Sequence, residues 1–322
     1  MTEQILQAKK DYSRFSIALL AIAVITNVLQ LILGFVMNRF LPDTALEGKE
    51  LLRWILTMAP MYLVAVPMGF LLMRKIPAES QQKQKLNFGR FLVLMLICMP
   101  IMYGGNIIGN ILSALLSGGT AENALLDYIM GNPFYAFLFT VVLAPFLEEL
   151  IFRKQIVDRL GKYGEKTAII FSAVAFGLFH MNLFQFFYAF GLGLIFAYVY
   201  SRTRMLRYTV IMHAIINFMG SIIAPALLKM LDLESLATTG TATTEQTMQM
   251  LPGLLVFMGY FCLLIASAIA GLILLIIRWK ERKFLPASQE LPAGTAAKTV
   301  YGNVGTILFI VFCLIMTVLA LF

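Results

Sequence analysis

The sequence predicts an all-α, polytopic membrane protein of about nine transmembrane helices, with eight as the alternative count and the N-terminus in the cytoplasm. Three observations carry this. The 322 residues are 60% hydrophobic and 13% charged, where soluble domains carry roughly 25% charged residues. Apolar runs long enough to cross a bilayer recur along the whole chain. The basic residues concentrate in alternate connections between those runs.

The runs cover residues 15–37, 52–73, 91–117, 133–152, 167–182, 184–201, 208–228, 253–277 and 303–322, each within or near the ~17–25 residues that span hydrocarbon. The fifth and sixth are the least separate, because 167–200 is almost continuously apolar and Met181-Asn182 alone suggests a break. With the N-terminus inside, 21 of the 25 Lys and Arg residues fall in cytoplasmic segments, leaving Arg39, Lys49, Arg53 and Lys229 outside. That asymmetry follows the positive-inside rule. The net charge of +8 is thereby explained by topology and by anionic lipid at the cytoplasmic rim, and implies no nucleic acid.

Residues 1–14 are polar and mixed in charge, so no cleavable signal peptide is expected. Cys98, Cys262 and Cys313 lie in apolar runs without metal-type spacing and are expected to be buried packing residues. Gln81 to Asn87 and Glu281 to Lys298 read as solvated cytoplasmic loops, and Asp232 to Gln249 as a Thr-rich external one. The whole of 1–322 is expected to form a single helical membrane domain, multi-pass in a plasma membrane, with short loops that suggest a bacterial one.

Ionisable or strongly polar residues inside spans are the candidates for function, since an acidic one costs about 2.5–3.5 kcal/mol at the centre of a helix in lipid. Glu148 and Glu149 are adjacent in the fourth run, and Arg153 stands four residues after Glu149, the spacing at which an acid and a following base pair along a helix. That leaves Glu148 free. Pro145 cannot donate a backbone hydrogen bond and crowds the carbonyl of Val141, so a kink is expected beside the glutamates. The two histidines of the chain are His180, four residues after Phe176, and His213, four residues before Asn217; each pair shares a helix face. Asn27 and Gln30, and Asn106 and Asn110, are expected to join helices rather than do chemistry. A geometric tension follows: His180 lies about 20 Å along its helix from Thr167, but His213 only about 8 Å beyond Tyr208. A cytoplasm-facing cavity would reconcile them, as would a short or tilted fifth helix.

The ordered set EExxxR (Glu148, Glu149, Arg153), FxxxH (Phe176, His180) and HxxxN (His213, Asn217) resembles the three motifs of the CaaX protease and bacteriocin-processing family of intramembrane endopeptidases. The resemblance covers residues 133–228, which it marks as the catalytic core. It implies hydrolysis of a peptide bond near the cytoplasmic side, with Glu148 and His180 activating water and His213 and Asn217 stabilising the oxyanion. Glu149, Arg153 and Phe176 support them. For Asn217 the alternative is an ordinary hydrogen bond between helices. The resemblance leaves metal open: no cofactor is the first expectation, and zinc held by Glu148, His180 and His213 the alternative. The substrate is a peptide or membrane protein, with or without a lipid. A non-catalytic partner or bacteriocin-immunity protein is the other role the family implies. A transporter is disfavoured, because the internal repeats it would carry are not seen.

Overall fold

The computed structural model describes residues 3–40, 49–79, 81–231, 244–278, 280 and 283–322, apart from the side chains of 244–247 and 249. Every regular element among them is helical. In chain order these are α1 (Glu3–Phe40), α2 (Glu50–Met73), α3 (Phe88–Ser117), α4 (Ala124–Met130), α5 (Pro133–Tyr163), α6 (Glu165–Phe179), α7 (Leu183–Thr203), α8 (Leu206–Met230), α9 (Thr244–Arg278), α10 (Ala296–Tyr301) and α11 (Val304–Leu319). Each predicted run finds a helix, and the chain is an all-α polytopic membrane protein. Seven of the described helices are long and apolar enough to cross a bilayer; α11, with 16 residues, is shorter.

The break at Met181-Asn182 is real. Asn182 accepts a hydrogen bond from the Gln185 amide at 2.9 Å, capping α7, and Met181 turns the chain with φ +52°. α6 therefore ends after 15 residues, about 22 Å of helix against a hydrocarbon core of ~30 Å. His180 sits at the end of a short helix, one of the two arrangements that relieve the geometric tension.

Proline shapes three of the long helices in the same way. A π-helical turn ends two residues before Pro67 in α2, before Pro145 in α5 and before Pro225 in α8. Widening the helix by one residue per turn moves the preceding carbonyls away from the proline ring. In α5 the consequence is specific. The amide of Ala144 reaches back five residues to Phe139. In that register the carbonyl of Thr140 would be served by residue 145, which as proline has no N–H. An orphan acceptor is left in the membrane, and another helix must satisfy it.

The helices pack by small residues. α3 lies against α7, which in turn packs on α6; α8 packs on α5, and α11 on α1. Gly105 and Gly109 bring the α3 backbone onto the start of α7: a Cβ at 105 would stand 2.5 Å from the amide nitrogen of Tyr188, and one at 109 would meet the carbonyl of Leu183. Gly105→Leu is accordingly expected to destabilise the protein by about 1–3 kcal/mol or more, read as a lower unfolding temperature in detergent.

Several expectations need correction. Cys98 and Cys313 are buried, but Cys262 is exposed on α9, whose surface carries Leu255, Phe261 and Leu263 in the same state and suits lipid. Gln30 does join helices, donating to the Thr57 carbonyl at 2.7 Å. Asn110 instead bonds Asn106 on its own helix, and both are exposed. The segment after α9 is strapped down rather than simply solvated: the amides of Gln289 and Leu291 donate to the carbonyls of Lys162 and Tyr163, and that of Leu285 to the Glu165 carboxylate. Gln84 likewise donates to the carbonyl of Thr203. Residues 281, 282 and most of the predicted external loop, 232–243, lie outside the described residues.

Candidate active site

α5 presents Glu148, Glu149 and Arg153; α6 ends in Phe176 and His180; α8 carries His213 and Asn217. Glu149 and Arg153 form the predicted pair, with Nε 2.9 Å from Oε2 and both side chains wholly buried. A second guanidinium nitrogen of Arg153 donates to the Ser172 hydroxyl at 3.2 Å, and Ser172 donates to the Phe152 carbonyl. The guanidinium carbon lies 4.3 Å from the centre of the Phe176 ring, a cation–π arrangement that is strongest where water is excluded.

The other oxygen of Glu149 accepts from Nδ1 of His213 at 3.1 Å. Glu149 thus binds Arg153 on its own helix and His213 on another, and its spacing foretold the first contact alone. The Thr209 hydroxyl, one turn before His213, is close to the same carboxylate and donates to the Leu206 carbonyl at 3.1 Å. Phe176 stands edge-on to both imidazoles, 4.9 Å from His180 and 5.7 Å from His213 between centroids. Its ring lies between the two histidines and the arginine.

Glu148 is the partly accessible carboxylate, its side chain 19% exposed against 0% for Glu149. One of its oxygens is 3.7 Å from Nε2 of His213, and it acts electrostatically on His180, Tyr62 and Tyr188. Glu148 thus neighbours His213, and Phe176 contacts both imidazoles.

The hydrogen bonds assign the protons. Nδ1 of His180 lies 2.8 Å from the Phe176 carbonyl, which accepts only, so the proton is on Nδ1 and a neutral ring offers a lone pair at Nε2. Nδ1 of His213 donates to a carboxylate by the same reasoning, so its Nε2 accepts in the neutral ring and donates in the imidazolium. The Asn217 amide donates to the Thr140 carbonyl at 2.8 Å, filling the vacancy created by Pro145. That is the bond between helices named as the alternative for Asn217, and it leaves the second amide hydrogen available.

The donor types suit zinc, and a ring nitrogen fixed by a carboxylate or carbonyl is the usual support of a metal-bound histidine. As arranged, however, no three His, Cys, Asp or Glu side chains among the described residues form a group spaced to hold a metal ion.

Ser172, Thr209 and Phe196 are the site residues that motif reading missed. Ser172 extends Phe176 and His180 by one turn, and Thr209 does the same for His213 and Asn217, so the i, i+4, i+8 face was there to read. Phe196, whose centroid lies 5.5 Å from that of His213, had no such signal among 26 phenylalanines.

Comparison with known proteins finds one family model and one curated relative. Residues 130–219, which contain every motif residue, match the family model described as Type II CAAX prenyl endopeptidase Rce1-like. A curated protein of Bacillus subtilis (strain 168), named "Putative membrane peptidase YdiL", is 29% identical over 165 residues. The match covers 48% of this chain and 66% of that protein, just under two thirds of its length. No solved structure matches the chain. Through its central segment, where the three motifs lie, the chain is similar to the Rce1-like CAAX prenyl endopeptidases and to this membrane peptidase of Bacillus.

Proposed function

We propose that the protein is an intramembrane endopeptidase that hydrolyses a peptide bond near the cytoplasmic face, in a bacterial plasma membrane. Residues 133–228 carry the chemistry, and the remaining helices hold them. The observation that supports this reading is the division of labour between the two glutamates. One is locked by Arg153 and His213, while its neighbour is accessible and faces the imidazoles. A purely structural cluster would have no need of the second carboxylate.

Glu148 and Nε2 of His180 are both acceptors, so a water between them directs its two hydrogens at them and its lone pair outward. Attack on the carbonyl carbon passes a water proton to this pair, which returns it to the departing nitrogen as the C–N bond breaks. His213 as imidazolium and the free amide hydrogen of Asn217 donate to the oxyanion. The basic rim begins close by: Lys154, half-exposed, is six residues beyond Glu148, about 9 Å along the helix. The Rce1-like description and the peptidase name of the Bacillus relative support the same class of substrate, a peptide or membrane protein.

The purified protein in detergent, given a library of internally quenched peptides with and without a prenyl group, is expected to cleave some of them. Excess chelator should leave the rate unchanged. No cleavage anywhere in the library would count against the protease reading. Cleavage lost to chelator and restored by zinc would replace the metal-independent mechanism.

A further inference from the structure

Hydrolysis needs donors for the oxyanion as well as acceptors for the water, and the motif residues leave two at most: Nε2–H of a protonated His213 and the second amide hydrogen of Asn217. Glu148 accepts only, His180 faces its carbonyl through Nδ1–H, His213 spends its Nδ1–H on Glu149, and Asn217 spends one amide hydrogen on Thr140. A hydroxyl from outside the motifs is tied to His180 by hydrogen bonds. Tyr188, on the second turn of α7, is packed against the hydrophobic core that also contains Phe152 and Phe176, and Gln185 and Asn182 link its hydroxyl to the His180 carbonyl.

Its orientation is built. Asn182 donates to the His180 carbonyl at 3.0 Å and to Oε1 of Gln185 at 2.8 Å; Nε2 of Gln185 donates to the Tyr188 hydroxyl oxygen at 2.9 Å. From Asn182 through Gln185 the side-chain bonds run toward Tyr188, so the phenol oxygen already accepts, and its own hydrogen is the one left to give. Donors aligned in series polarise each other and strengthen the last of them. The backbone beneath is fixed as well, because Gly105 lets α3 press against the amide of Tyr188. Tyr62 also lies in the field of Glu148, but no described side chain orients its hydroxyl.

We propose that Tyr188 is a further catalytic residue, its hydroxyl donating to the oxyanion of the scissile carbonyl, with Gln185 and Asn182 as its positioning residues. The inference rests on the endopeptidase reading. Tyr188 keeps its proton throughout: it lends a hydrogen bond while the carbonyl oxygen is negative and is released when the C–N bond breaks.

The test uses the full-length protein and the quenched peptide that the wild type cuts fastest, with Glu148→Gln alongside. Tyr188→Phe should lower kcat by about 10²-fold, the scale of losing one oxyanion donor, with KM and unfolding temperature nearly unchanged. Gln185→Leu should lose less, and the double variant no more than Tyr188→Phe alone, because Gln185 acts through Tyr188. Wild-type kcat in Tyr188→Phe overturns the proposal, as does a loss shown by Tyr62→Phe instead. Additive losses with lowered unfolding temperatures would assign the network to packing and overturn it too. Cleavage by Glu148→Gln at the wild-type rate would remove the endopeptidase mechanism itself, and the proposal with it.

Discussion

Glu148→Gln is expected to lower peptide cleavage by about 10²–10⁴-fold, the range a positioned general base contributes, while the protein folds as before. Glutamine keeps the size and one acceptor oxygen of the side chain, but it cannot take the proton that water must give up. The fold should be indifferent, because Glu148 is partly accessible and its ion-pair contact with His213 is long at 3.7 Å. Both measurements are needed on one preparation: the rate on the quenched peptide and the unfolding temperature in detergent. A variant that keeps its rate takes Glu148 out of the chemistry. One that loses rate and stability together would make it a packing residue.

The neighbouring glutamate should behave in the opposite way. Arg153→Met leaves Glu149 charged and wholly buried beside His213 alone, and removing one member of a buried pair costs about 3–5 kcal/mol. Glu149→Leu/Arg153→Met, which leaves neither charge behind, is expected to regain much of that stability, since apolar replacements of a buried pair are often neutral. Activity should not return, because leucine cannot hold Nδ1 of His213 and the imidazole loses its orientation. Unfolding of the two single variants and the double variant forms a cycle that isolates the pair. A double variant that loses the sum of both single losses would contradict this account.

These two glutamates also show how far the sequence could be read. The Glu149–Arg153 pair was legible because both residues lie on one helix, where spacing fixes distance. Its bond to His213 was not, because that contact joins helices 64 residues apart in sequence, and no local pattern encodes it. Asn217 is the same case: Pro145 announced a disturbed helix, but which side chain would satisfy the Thr140 carbonyl depended on how α8 packs. The helices themselves were legible from apolar length alone, down to the turn at Met181-Asn182. The strap on Glu165 was not, because polar composition reports that a segment tolerates water and says nothing of the backbone bonds it makes.

The central claim is that one acid and two imidazoles from three helices share a site. An experimental structure in lipid is the most direct measurement. It should place the Glu148 carboxylate within about 4 Å of Nε2 of His213, with Glu149 on Nδ1 and an ordered water shared between Glu148 and His180. A Glu148 carboxylate more than about 10 Å from both imidazoles, beyond the reach of a bridging water, would contradict it.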